Sequence, residues 1–233
     1  KENMFKAHPY RWTTIGEMEH LDAATLEEFM AFNKKFYVPN NAVLVVAGQF
    51  DKTQAKEWIQ NYFGPIEKGA PIERKKYEEA PITEQFRAKW EDPNIQIPMM
   101  VTCYRTPSMK TRDARVLDMI SSYLSDGKSS KLYKKIVDDK KMALQIGAFN
   151  YSQEDYGMYL IYGLPMGAIP ADDIIKEIDE EIVKLQTELI SENDYQKLQN
   201  KFENQYVNSN DNVEGIADNL ATYFMLYGDI NLI

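Results

Sequence analysis

A chain of 233 residues with 44% hydrophobic and 12% aromatic side chains can bury a real core, as one large or two modest domains. Its formal charge of −9 argues against a nucleic-acid partner and against an anionic membrane surface, both of which need a basic face; no apolar run approaches the roughly 18–20 residues of a membrane span. The lone Cys103 excludes an internal disulfide and a cysteine-built structural zinc site, and leaves cytosol, periplasm and organelle equally open.

The first strong signal is a helix. Thr25 followed by Glu28 forms a capping box, and Leu26, Phe29, Phe32 and Phe36 recur at steps of three and four on one face. Pro39 and Asn40-Asn41 end it. The next run, Ala42 to Gly48 (AVLVVAG), carries no polar residue on either face, which predicts a strand inside a sheet covered on both sides. Residues 1–63 offer that strand no partner, so its neighbours are expected from later in the chain or from polypeptide upstream of Lys1. The chain reads as a piece of a longer protein. Asp51 caps a second helix with Ala55, Trp58, Ile59, Tyr62 and Phe63 on one side. From Gly64 to Pro93, a charged stretch punctuated by Pro65, Gly69, Pro71, Pro81 and Pro93 predicts a linker, within which ITEQFRAKW alternates enough to suggest an edge strand.

A second segment opens with a strand over 95–104, placed at an edge or bulge by Pro98. Val116, Leu117, Ile120 and Leu124 predict a helix over 111–124, stopped by Asp126-Gly127; Ser129 or Ser130 is expected to cap a short helix holding Leu132 and Ile136. The runs 143–149 and 156–164, joined by SQED, predict a hairpin. After Pro170 a long helix aligns Ile174, Ile178, Ile182, Leu185 and Leu189. Ser191 and Asp194 cap another with Tyr195, Leu198, Phe202 and Tyr206; a last helix spans about 213–227, and the chain closes on Ile230, Leu232 and Ile233, an apolar end that again reads as a cut.

Chemistry-bearing residues are sparse. The two histidines are His8, in a turn-like His-Pro-Tyr, and His20, in GEMEH, which would be H-x-x-E-H only if Gly16 were histidine. With one imidazole gone, His20 reads as part of a polar turn before the helix. Cys103 reads as a packed thiol, and Gly127-Lys128-Ser129-Ser130 lacks the first glycine and feeding strand of a phosphate loop. The tyrosines of 151–162 fit either a groove for an extended peptide or ordinary sheet packing.

The order His8-Pro9-Tyr10, Ile15-Gly16-x-x-Glu19, a capped helix ending Phe36-Tyr37-x-Pro39-Asn40-Asn41, and then AVLVVAGQFD resembles the pitrilysin/insulinase-type zinc metallopeptidases, which include the mitochondrial processing peptidases. Gly127-Lys128-Ser129-Ser130-Lys131-Leu132-Tyr133 is similar to a run in the family's following homologous domain. The resemblance implies an α+β fold of repeated sheet-plus-helix domains, the first truncated: residues 1–66 as the end of one domain, 67–83 as linker and 84–233 as most of the next. It implies a zinc-dependent endopeptidase whose metal ligands lie upstream and outside this chain, so that no catalytic or metal-binding residue is assigned here. The chain would supply scaffold and chamber wall, and a second half or partner subunit would close the chamber around a peptide substrate. Active members stabilise the oxyanion with an Arg and a Tyr; the matching places hold Val137 and Leu144, which cannot donate. A non-catalytic assembly subunit of the same family is the alternative.

Overall fold

The computed structural model describes residues 1–232, and its chain divides into two units: residues 1–80 with the chain from Gln205 on, and Pro81–Asn204. The boundary between Asn204 and Gln205 falls inside a helix.

In the first unit, α1 (Met18–Ala23) and α2 (Leu26–Phe36) precede α3 (Lys52–Phe63). The capping box at α2 is formed: Thr25 Oγ1 accepts from the Glu28 amide at 3.3 Å, and the Glu28 carboxylate accepts from the Thr25 amide at 2.8 Å. A 3-10 turn at Pro39–Asn41 ends this stretch, with Asn41 Nδ2 donating to the Phe36 carbonyl at 2.9 Å. Asp51 caps α3 through the Gln54 amide at 2.8 Å. The apolar stripes have the expected spacing but are not buried: Phe29, Phe32, Trp58 and Tyr62 are all more than half exposed.

The run 42–48 departs furthest from expectation, because it forms no strand and Leu44 stands 57% exposed. A strand exists only through its ladder, and among the described residues none lies beside this one. The same reason applies to ITEQFRAKW, where residues 82–90 pair with nothing as a strand and Trp90 is exposed. Among the described residues of this unit, burial is confined to Phe5 and His8. The His8 ring stacks on Tyr10 at 4.0 Å and meets Tyr77 at 5.4 Å. One carboxylate fixes this corner: Glu79 accepts from the backbone amides of Lys6, Ala7 and His8 at 2.7 to 3.0 Å. Farther along, Asn40 and Gly69 exchange two hydrogen bonds, 2.8 and 3.1 Å, which tether the irregular stretch after α3. The unit's last helix, α7 (Val213–Tyr227), starts on an Asn212 cap and ends at Gly228 in the left-handed region. Ile230–Leu232 forms a final 3-10 turn; Ile233 lies outside the described residues.

The second unit holds the core. Strands β1 (Met100–Pro107), β2 (Ala143–Ser152) and β3 (Tyr156–Pro165) form an antiparallel sheet of order β1-β3-β2. The hairpin expected around SQED is β2 and β3, and β1 takes the edge that Pro98 implied, starting at Met100. Register and alternation put Met100, Ile146, Ala148, Tyr159 and Ile161 on one face. α4 (Arg112–Ser125) and α5 (Ala171–Thr187) supply the facing residues, with Leu124, Ile174 and Ile178 buried among them. Leu132 and Ile136 are fully buried, but the segment Tyr133–Asp139 is π-helical with no side-chain hydrogen bond at its N-cap, and the Ser130 hydroxyl donates to the Gly127 carbonyl at 2.7 Å. Leu189 falls past the end of α5 and is fully exposed. The Ser191 hydroxyl accepts from the Asp194 amide at 3.1 Å at the start of α6 (Glu192–Ser209).

Candidate functional site

The face of the sheet turned away from α4 and α5 carries Tyr151, Tyr156 and Tyr162, while Tyr159 lies on the core face. Three cross-strand rows define it: Val101, Tyr162 and Gly147; Cys103, Leu160 and Phe149; Arg105, Met158 and Tyr151. Val101, Phe149 and Tyr151 are each more than two-fifths exposed. The Phe149 ring meets Tyr162 edge-on at 6.3 Å, and Gln145 Nε2 donates to the Tyr162 hydroxyl at 3.1 Å. Arg105 lies over the Tyr156 ring at 6.0 Å, a cation–π contact at the rim. Gly147 makes the row possible: a Cβ there would stand 2.4 Å from the Tyr162 ring, so only glycine lets that ring lie flat across β2. Cys103 belongs to this face as a free, half-buried thiol whose pKa burial raises, which disfavours the reactive thiolate. The surface offers stacking area and one cation, with no nucleophile poised for covalent chemistry.

The β2 edge is partly closed. The Ser125 hydroxyl accepts from the Ala148 amide at 2.7 Å and donates to the Ala148 carbonyl at 3.0 Å, occupying both backbone groups that a neighbouring strand would use. Behind the sheet, Asn150 donates to the Ala114 carbonyl and to Asp118 at 3.0 Å, while burial raises the Asp118 pKa. Burial likewise pushes the Tyr159 hydroxyl up to about 12.

The remaining candidates separate. His20 sits exposed in α1 and His8 is buried in its aromatic corner. Among the described residues no three of His, Cys, Asp and Glu come together to hold a metal ion, so the side chains present do not fit a zinc centre. Val137 lies in the π-helical segment against the core, and Leu144 is half exposed on β2. The segment 127–131 lines a cavity that the sequence had no means of anticipating, since its other wall is α6. Also unforeseen is a cluster in which Lys135 meets Glu177, Glu180 and Glu181 at 2.9 to 3.1 Å, with Lys184 reaching Glu181 at 2.7 Å. Three glutamates within five residues of α5 were the available signal; their partner arrives only through the fold.

A helix-backed antiparallel sheet, joined in sequence to a helical unit with little core, is an α+β arrangement with solved counterparts. The peptidase M16 inactive-domain family matches residues 23–202, and the chain belongs to this family, of pitrilysin/insulinase type. It is 26% identical over 223 residues to the zinc protease PqqE of Helicobacter pylori, covering 94% of this chain and 50% of that protein. The crystal structure of a protease from Helicobacter pylori superposes with a TM-score of 0.80 at 24% identity, over 97% of this chain and 55% of the other. A peptidase M16 inactive domain from Pseudomonas fluorescens gives a TM-score of 0.82 at 14% identity, over 99% and 54%. The chain thus spans about half the length of the curated relatives it matches.

Proposed function

We propose that this chain is the scaffold and part of the chamber wall of a zinc-dependent endopeptidase acting on peptides, and that the hydrolytic centre lies in polypeptide outside these residues. The observation that carries the reading is the bare apolar surface of the first unit: the faces of α2 and α3 and the unpaired run 42–48 have the composition of a domain interior and stand in solvent. Residues 1–66 then act as the end of one domain, 67–83 as linker and 84–233 as most of a second. The aromatic face of the sheet suits a wall against which an extended peptide lies. Val137 and Leu144 supply no donor for an oxyanion, so a second half or partner subunit provides it.

The test compares this chain with the natural gene product including its upstream region, using a quenched fluorescent peptide and metal analysis. The longer protein is expected to bind zinc and cleave in a chelator-sensitive way, while the 233 residues alone do neither. Zinc-dependent cleavage by this chain alone would overturn the proposal. A longer protein that neither binds zinc nor cleaves would also overturn it, in favour of an assembly subunit.

A further inference from the structure

We propose that the cavity between the end of α4, the segment 127–131 and α6 is a binding site for a phosphate-type oxyanion. It lies wholly within the second unit, on the helical side of the sheet, and does not depend on the peptidase reading.

The cavity is lined by three ammonium groups, Lys131, Lys197 and Lys201, against two carboxylates, Asp126 and Asp194. Both carboxylates are committed. Asp194 accepts from Lys131 Nζ at 2.9 Å and from the Ser191 hydroxyl at 2.8 Å, while Asp126 takes Lys201 and the Ser122 hydroxyl. Lys197 forms no salt bridge among the described residues: its Nζ donates to the Ser129 hydroxyl at 2.6 Å, and its charge adds to that of Lys131 on Asp194, leaving three cations against two carboxylates. A hydroxyl balances no charge, so the site carries one cation in excess.

Shape and donor chemistry fix the class of ligand. At about 160 Å³ the cavity is too small for a metabolite-sized ligand, for which pockets run from about 300 Å³. Ammonium groups on both walls and the Ser129 hydroxyl can donate from several directions at once, which suits a tetrahedral oxyanion with acceptors on every side better than a planar carboxylate. Each lysine is held by a partner on the opposite wall, so the donors are in place before the anion arrives. The site's chemistry is the same for free phosphate and for a phosphorylated side chain.

The experiment uses the full chain, isotopically labelled, titrated with inorganic phosphate at ionic strength held constant by sodium chloride. Amide resonances of residues 127–131 are expected to shift saturably, with a dissociation constant of about a millimolar or below. Lys197→Gln, at an exposed position, should weaken binding about ten-fold, whereas Lys52→Gln in α3 should leave it unchanged. Thermal unfolding of the Lys197 variant checks that it is folded. A parallel arm with a phosphoserine peptide separates the sources: tighter binding than phosphate points to a phosphorylated protein, and weaker binding to the free anion. Shifts reproduced by chloride alone, or unaffected by Lys197→Gln in a folded variant, would overturn the proposal.

Discussion

Gly147 and Glu79 show how single residues hold this chain. At Gly147 the Tyr162 ring occupies the space a side chain would fill. Gly147→Ala should cost about 1 kcal/mol in chemical denaturation, because the ring must swing away and give up both the Gln145 bond and the Phe149 contact. The attribution is checked by a double-mutant cycle: in a Tyr162→Ala background the same substitution should cost close to nothing, and equal costs in the two backgrounds would show that the ring is not the cause. Glu79 acts on the backbone instead, gathering three consecutive amides with one carboxylate. Glu79→Ala leaves those donors to solvent, so hydrogen exchange at Lys6, Ala7 and His8 should quicken by about ten-fold or more. Exchange at Leu124 or Ile178, in the core of the other unit, should not change.

Among the elements, the helices are legible in the sequence because their caps are local: Thr25 with Glu28, Asp51, and Asn212 each meet an amide within three residues. The hairpin is legible for the same reason. The charged cluster on α5 is not, since Lys135 reaches it from a different element, and periodicity registers only the isoleucines beside those glutamates. Glu177 is held below the usual carboxylate range by Lys140, and Lys135 adds to this; burial alone would raise Glu181, but Lys184 and Lys135 bring it down. Burial alone would lower Lys135, yet its three carboxylate partners raise it. For a carboxylate whose folded pKa is depressed, the stabilisation is present above the unfolded value and disappears as pH falls through the folded one. Stability of the second unit should therefore hold from neutral pH down to the ordinary glutamate range, then decline below it. Lys135→Met should flatten that acid limb and cost about 1 kcal/mol at neutral pH, because Glu177 and Glu181 lose a shared cation but keep Lys140 and Lys184. An unchanged acid limb in the variant would mean that other groups govern the transition.

For the molecule as a whole, accessible surface decides where stability can reside. The chain exposes 17726 Å². A compact protein of 27.0 kDa exposes about 10,800 Å², and two separate units of half that mass about 13,000 Å² together. The surplus is not shared evenly, since among the described residues outside 81–204 only Phe5 and His8 are buried. Here the sequence misleads in an instructive way. AVLVVAG has the composition of a central strand, but composition states what a segment requires of its neighbours and cannot provide them, so the run stays unpaired and apolar in solvent. The consequence is two levels of protection within one chain. Amide hydrogen exchange should find the slowest amides in β2, β3 and α5, where the ladder and the isoleucine layer coincide, and exchange close to the unstructured rate over 42–48. A dye that fluoresces on apolar surfaces should bind this chain at neutral pH, and polypeptide that pairs with residues 42–48 should suppress that binding while slowing their exchange. Strong protection of 42–48 in the chain alone would show that the run finds a ladder without help, and would remove the reason for seeking its neighbours elsewhere.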